Sequence, residues 1–233
     1  MNSNTYNKIT IGEIVANDFR AASVFKNNHL DFCCGGNKTL EEACREKGIV
    51  PGKVEHELKE LAANPPNSGQ DYRTWKLDFL CDYLVNTHHQ YVLKTLPDLL
   101  NYTQKIASVH GTNHPELIEV ASLFAKINKE LLQHLKNEEE VLFPAIKNLL
   151  AHNDRKSKDV IVSEIARMTG EHEFAGGAMD TINTLTHHYM LPQDSCATYQ
   201  VTFKLMEQFE DDLHIHVHLE NNILYPNALK LTH

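Results

Sequence analysis

The sequence lacks the features that mark several large classes of protein. It holds no apolar run near the roughly 18 residues that a membrane-spanning helix needs. Its first ten residues are polar and lack the apolar core of a secretion signal. No segment of strand length alternates clearly between apolar and polar residues. We therefore expect a cytoplasmic, mainly helical protein that does not bind a membrane.

Basic residues are scarce, and the cysteines do not suggest a disulfide framework. The 22 Lys and Arg residues stand against 31 Asp and Glu residues, which gives a net charge of −9. Because nucleic-acid phosphates require a basic surface, we expect no nucleic-acid partner. Five cysteines are an odd number, and no secretion signal accompanies them. Histidine is the enriched residue type, with 15 copies, and it is the commonest metal ligand.

The first quarter of the chain has the pattern of a small helical domain. Two Thr-x-x-Glu capping boxes and Pro51 mark three helix starts. The first predicted helix covers 14–26, the second follows Thr39 and stops near Gly48, and the third follows Pro51 and ends near Ala63. A run rich in Asn, Pro, Ser and Gly follows and is typical of a linker. We predict a helical domain over 1–64, a linker over 65–71 and a second domain over 72–233.

The second domain has the pattern of an up-down-up-down four-helix bundle. Short loops between long helices favour antiparallel neighbours. Pro97 and Pro144 should kink or end two of the helices. The predicted long helices cover 72–109, 115–150, 156–189 and 195–230. Helical periodicity places five polar residues on the apolar inner faces: His134, Glu138, His172, His216 and Glu220.

An internal repeat carries the candidate chemistry. The segments 134–144 and 216–226 both read H-x3-E-x2-[VI]-L-[FY]-P, and they lie 82 residues apart. A histidine and a glutamate four residues apart share one helix face. An offset of 82 or 83 from His172 leads to residue 90 or 89, beside which the pair His88 and His89 occurs, and either histidine can face inward. Each half would then be a helical hairpin that supplies two imidazoles and one carboxylate.

Such a set of side chains indicates a pair of metal ions. A single buried histidine is more often an ordinary core residue, but the repeated H-x3-E pair makes metal binding the better interpretation. Burying these groups unpaired would cost several kcal/mol each, and two divalent cations would remove that cost. Imidazoles with carboxylates suit iron or manganese, whereas a structural zinc or iron–sulfur site usually includes thiolates. The Glu-x-x-His motif of ferritin-like bundles is absent.

The surroundings of the site can be predicted only in part. Glu130, one turn before His134, and Glu171, beside His172, could orient ligand imidazoles, or they could be solvated charges. His214 and His218 have no glutamate four residues later, so we assign them to the site's surroundings or to the surface.

The residues resemble a known family. Residues 72–233 resemble the hemerythrin-like domains. Nearly the whole chain resembles the bacterial di-iron "repair of iron centres" family, whose leading domain carries the motif present here as Asp-Phe-Cys-Cys-Gly-Gly at 31–36. The resemblance implies a non-haem centre of two Fe ions, bridged by both glutamates and an oxo group. The implied ligands are His89, His134, Glu138, His172, His216 and Glu220.

The resemblance also selects between the two adjacent histidines. The family's first ligand histidine stands seven residues before a Leu-Pro pair, which is Leu96-Pro97 here, so His89 is the implied ligand. Oxygen-carrying hemerythrins have a fifth histidine in an H-x3-H motif. The H-x3-E in its place implies a more open and more labile iron pair.

The family also implies a function. Its members protect or rebuild iron–sulfur clusters damaged by nitrosative or oxidative stress. We expect a cytoplasmic stress-response protein that donates iron to damaged or apo iron–sulfur proteins, rather than a classical enzyme. The alternatives are reduction of nitric oxide or peroxide at the di-iron site, and reversible oxygen binding or sensing. Nitric oxide or oxygen species would be the small ligands, and a homodimer is implied by the resemblance alone.

Cys33 and Cys34 precede two glycines, which allow a sharp turn and leave the thiols uncovered. We expect a redox or iron-handling dithiol that passes electrons or iron to the di-iron site. The alternative is a buried pair with a packing role. A helix N-terminus or the nearby Lys38 could lower the thiol pKa values. The other cysteines, Cys44, Cys81 and Cys196, are expected to be structural.

Overall fold

A computed structural model describes residues 6, 9–63 and 71–232. The predicted linker at 65–71 lies outside these ranges except for Asp71, as do His233 and most of the polar N-terminal residues. Over the described ranges the chain is helical and forms no strand, with Thr10 and Thr39 making one isolated bridge. The all-α prediction is therefore confirmed. None of the described helices combines the length and hydrophobicity that crossing a bilayer requires.

The helices follow the chain in short and then long segments. The described α-helices are α1 (Ile11–Asn17), α2 (Ala21–Asn27), α3 (Leu40–Lys47), α4 (Pro51–Ala63), α5 (Leu77–Leu84), α6 (Gln90–His110), α7 (Glu116–Asn137), α8 (Phe143–His152), α9 (Arg155–Leu185), α10 (Ala197–Leu219) and α11 (Tyr225–Lys230). A 3₁₀ turn covers Tyr72–Thr74. Three π-helical turns are π1 (Val85–His89), π2 (Glu138–Leu142) and π3 (Glu220–Leu224).

The chain divides into two compact units, each described separately below. The N-terminal unit comprises Met1–Leu80 with Ile215–His233, and the bundle unit comprises Cys81–His214. The domain bounds expected from the sequence, 1–64 and 72–233, stay predictions.

Capping boxes open two short helices of the N-terminal unit, although α1 begins at Ile11, three residues before the predicted start. Thr10 and Thr39 each accept a hydrogen bond from the backbone three residues later, and the glutamate there accepts one in return. The helix predicted over 14–26 is instead two helices, α1 and α2. The Asp18 carboxylate accepts a hydrogen bond from the backbone N–H of Arg20, and this local turn competes with the helix. Gly48, with φ of 68°, ends α3 in the left-handed conformation that favours glycine.

The bundle unit contains the long helices that the sequence predicts, with small differences at their ends. Helix α7 packs against both α6 and α9. The third long helix ends at Leu185 rather than 189, because three residues at 187–189 have left-handed backbone angles. Pro97 lies inside α6, which continues to His110, so this proline does not end its helix.

The two H-x3-E repeats share a feature that the sequence analysis did not predict. In each repeat a π-helical turn begins at the glutamate, and a proline is the second residue of the helix that follows. Proline has no amide hydrogen, and its ring crowds the carbonyl four residues earlier. A widened turn accommodates both effects. Such turns are frequent at functional sites, so Pro144 and Pro226 shape the segments that carry Glu138 and Glu220.

Candidate metal centre

Four predicted ligands come together in the bundle unit, each from a different helical segment. His89 ends π1, His134 lies in α7, Glu138 begins π2, and His172 lies in α9. Each is no more than 2% exposed. The apolar periodicity of the helices therefore places these polar side chains in the core, as the sequence predicts.

The distances among these side chains suit a bound cation. Oε2 of Glu138 lies 3.3 Å from Nε2 of both His89 and His134. Nε2 of His134 lies 3.1 Å from Nε2 of His172. Two donors held about 2.1 Å from one ion, at angles of about 90–110°, would be about 3.0–3.4 Å apart. The observed separations fall in that range.

The outer nitrogens of two imidazoles are held by carboxylates. Nδ1 of His89 lies 2.8 Å from Glu139, and Nδ1 of His134 lies 2.8 Å from Glu171. Because a carboxylate accepts the hydrogen, we assign the proton of each ring to Nδ1. The Nε2 lone pairs of the neutral rings then face other acceptors in the core. A cation among them resolves that repulsion, so the donor set fits a metal ion.

The structure distinguishes between the two alternatives left open for Glu130 and Glu171. Glu171 contacts His134 rather than its neighbour His172, and this hydrogen bond lowers the pKa of Glu171. Glu130 is exposed, which favours the solvated-charge interpretation. The sequence analysis missed Glu139, although its place beside Glu138 in an acidic run was a usable signal.

The two adjacent histidines have different environments. Both are buried, but Nδ1 of His88 lies 2.9 Å from the carboxylate of Asp212. His89 stacks on Phe143 and faces Glu138. The geometry therefore places His89, and not His88, with the other predicted ligands of this unit.

The second H-x3-E repeat lies in the N-terminal unit. His216 and Glu220 are at most 1% exposed, and Nε2 of His216 lies 3.0 Å from Oε1 of Glu220. This pair repeats the relation between His134 and Glu138, as expected for residues four apart on a helix.

The end of this repeat anchors the cysteine loop. Asn222, in π3, donates to the backbone carbonyls of Phe32 and Cys33 over 3.4 and 3.3 Å. His218 is fully buried and packs edge-on against Phe32, so its possible surface assignment was wrong. Burial lowers the pKa of His218 to about 4, which keeps the ring neutral at physiological pH. The turn that carries Glu220 is therefore joined to the Cys-Cys-Gly-Gly loop.

Asp31 organises the cysteine loop. Its carboxylate accepts backbone hydrogen bonds from Cys33, Cys34 and Gly35 at 2.9–3.0 Å. Sγ of Cys33 lies 3.1 Å from Oδ1 of Asp31 and 3.9 Å from Sγ of Cys34. Cys33 is buried and Cys34 is partly exposed. The loop thus gathers a carboxylate and two thiols.

The expected lowering of the thiol pKa does not hold for Cys33. Its hydrogen bond with Cys34, its burial and the charge of Asp31 all raise the pKa of Cys33 well above the usual value. Lys38 pairs with Glu46 over 2.5 Å. The side chain that contacts the Cys33 thiol is thus the carboxylate of Asp31, rather than a cation that would stabilise a thiolate.

The remaining cysteines differ in burial. Cys44 and Cys81 are buried, as expected of structural residues. Cys196 is exposed, with its sulfur 3.2 Å from Nε2 of His110, so burial gives no support to the structural role expected of it. The backbone N–H of Tyr199 is the main cause of a lowered pKa for the Cys196 thiol.

Two family models match separate parts of the chain. Residues 7–62 match the ScdA_N domain, a domain of unknown function (DUF542). Residues 82–228 match the hemerythrin HHE cation-binding domain. The buried histidines and glutamates described above lie within the second match.

Relatives resemble the chain over nearly its whole length. The iron-sulfur cluster repair protein YtfE of Enterobacter sp. (strain 638) is 32% identical over 94% of this chain and 96% of its own. A probable iron-sulfur cluster repair protein of Haemophilus influenzae is 33% identical, covering 90% and 91% of the two chains. The repair protein ScdA of Staphylococcus epidermidis is 26% identical, covering 92% and 95%. The chain therefore belongs to the family of iron–sulfur cluster repair proteins that join an ScdA_N domain to a hemerythrin HHE cation-binding domain.

Proposed function

We propose that this protein holds two iron ions and repairs damaged iron–sulfur clusters by donating iron. The observation that carries the metal proposal is the buried contact of Glu138 with His89 and His134, together with the contact between His134 and His172. His216 and Glu220 would complete the set of residues that holds the ions. The sequence repeat and the matching His–Glu geometry support this completion.

The donor set suits iron or manganese better than it suits soft metals. It consists of imidazoles and carboxylates, and thiolates, which soft metals prefer, are absent from it. Six protein donors shared by two ions leave coordination positions open. When bound, the iron pair would supply both exchangeable iron and electrons. Glu139 and Glu171 fix the imidazoles, and burial excludes bulk water from the ligands.

The names of the relatives support cluster repair as the process that this centre serves. Damaged or apo iron–sulfur proteins would be the partners, and a homodimer stays a prediction. Reduction of nitric oxide or peroxide at the iron pair is the second candidate. The observation that favours it over oxygen carriage is the dithiol of Cys33 and Cys34, since a carrier needs no reductant.

A transfer experiment tests the repair function. The protein, reduced and loaded with ⁵⁷Fe, is mixed anaerobically with a dehydratase whose [4Fe–4S] cluster nitric oxide has damaged. We expect the dehydratase to regain activity and its cluster to acquire ⁵⁷Fe. The control replaces the protein with free ferrous iron at the same concentration. A chelator that removes unbound iron is present in both reactions. Recovery of dehydratase activity without ⁵⁷Fe in the cluster would contradict iron donation and favour a reductive role.

Glu139 is expected to matter for metal binding although it is not a proposed ligand. Glu139→Gln weakens the acceptor of the His89 Nδ1 hydrogen, and loss of such an outer partner typically costs about 10–100-fold in metal affinity. Glu140→Gln is the matched control, because the neighbouring Glu140 is exposed. Competition with a chelator of known affinity measures both variants. Equal iron affinities in the two variants would show that Glu139 does not contribute to metal binding.

A further inference from the structure

We infer that Asp31, Cys33 and Cys34 form a separate mononuclear site for a divalent metal ion in the N-terminal unit. One ligand atom from each residue lies within 4.8 Å of the other two. This cluster shares no residue with the proposed di-iron ligands. It supplies two sulfurs and one oxygen, whereas the bundle set supplies nitrogen and oxygen.

The distances in the loop are close to those that a bound ion requires. Two sulfurs about 2.3 Å from a tetrahedral ion would be about 3.8 Å apart. The two Sγ atoms are 3.9 Å apart. A sulfur and an oxygen on the same ion would be separated by about 3.6 Å. Sγ of Cys33 lies 3.1 Å from Oδ1 of Asp31, so a shift of about half an ångström would bring this sulfur and the carboxylate to that separation.

The loop is built to keep these groups together. The carboxylate of Asp31 is fixed by three backbone N–H groups, two on Oδ1 and one on Oδ2, and the second lone pair of Oδ2 can still bind a cation. A Cβ atom at Gly35 would lie 2.7 Å from the Asp31 carbonyl oxygen, so glycine permits this fold of the loop. Asn222 holds the Phe32 and Cys33 carbonyls from outside the loop.

Charge and exposure indicate what the site would bind. A carboxylate beside two potential thiolates is a concentration of negative charge that a divalent cation neutralises. Binding breaks the two S–H bonds, forms two metal–sulfur bonds and releases two protons, with no change of oxidation state. Partial exposure of Cys34 leaves a route to solvent, so the ion can exchange. Fe²⁺ would be the natural occupant if the protein donates iron, a step that rests on the proposed function.

Cobalt titration tests the site in the full-length protein. Co²⁺ binds such sites more tightly than Fe²⁺ does, and its bonds to thiolates absorb strongly in the near ultraviolet. The iron-loaded protein, reduced by a phosphine and kept anaerobic, is titrated with Co²⁺. We expect one equivalent to produce the thiolate-to-cobalt band while the iron is retained. Cobalt in the bundle site would not give this band, because that donor set has no thiolate.

Variants assign the band to residues. Cys33→Ser with Cys34→Ser should abolish it, and Asp31→Asn should weaken cobalt binding by at least about 10-fold, the smallest loss typical of removing even an outer partner of a metal ligand. Cys44→Ser and Cys81→Ser should leave it unchanged, since these buried cysteines lie outside the cluster. If Asp31→Asn fails to fold, Cys34→Ser alone replaces it, because Cys34 is only partly buried.

The outcomes separate this inference from the proposed function. No thiolate band in the wild type, or a band that survives the double substitution, would overturn the mononuclear site even if cluster repair occurs. A band lost in the double variant, with the iron content and helical circular dichroism unchanged, supports the site even if the transfer experiment fails.

Discussion

Replacing Glu138 and Glu220 together by glutamine is expected to abolish iron binding in the bundle. Glutamine keeps the size of the side chain but removes the negative charge that the ions require. Glu138 is the residue whose carboxylate contacts both His89 and His134, so its loss affects two imidazoles at once. The iron content of anaerobically purified protein should fall from two ions per chain to almost none. The mixed-valent EPR signal that a partly reduced iron pair gives should also disappear.

The same substitution should lower stability, because the ions stabilise only the folded chain. A ligand present at about 100 times its Kd contributes about 2.7 kcal/mol, and two ions would contribute about twice that amount. Thermal unfolding should therefore show a large loss of stability in the double variant. Removing the iron from the wild type with a chelator should cause a similar loss. Glu140→Gln, at an exposed position, should keep both the iron and the stability. Iron retained in the double variant, or zinc indifferent to these glutamates, would mean that the repeat does not mark the metal site.

Gly36→Ala is expected to damage the cysteine loop severely. A Cβ atom there would lie 2.6 Å from Oδ1 of Asn222 and 2.6 Å from the backbone carbonyl oxygen of Phe32. The backbone atom cannot move aside without shifting the loop. Overpacking of this kind typically costs about 1–3 kcal/mol. Urea unfolding should show a loss of that order, and displacement of the Cys33 and Cys34 backbone should impair their function.

A second glycine provides the control for this substitution. A Cβ atom at Gly52, in α4, would meet no atom within 4 Å. Gly52→Ala should therefore be neutral or stabilise the protein by about 0.5–1 kcal/mol, since alanine is the better helix former. Equal stability of the two variants would show that Gly36 is not confined by Asn222 and Phe32.

The amino-acid sequence determined most of the secondary structure and the identity of the candidate ligands. Capping boxes place the starts of α1 and α3, because this signal is carried by residues three apart. Helical periodicity places His134, Glu138 and His172 on the inner faces, and burial agrees. The H-x3-E repeat needs no tertiary information, since both residues lie on one helix turn. Family membership follows from the same motifs.

Contacts between distant residues required the tertiary structure. Periodicity allowed both His88 and His89 to face inward, and only packing against Phe143 and Asp212 gives each its own environment. Glu171 holds His134, 37 residues away, because partners across a bundle depend on helix rotation rather than on sequence distance. The link from Asn222 to the cysteine loop spans 189 residues. Sequence spacing fixes which residues share a helix face, whereas packing decides which side chain each of them meets.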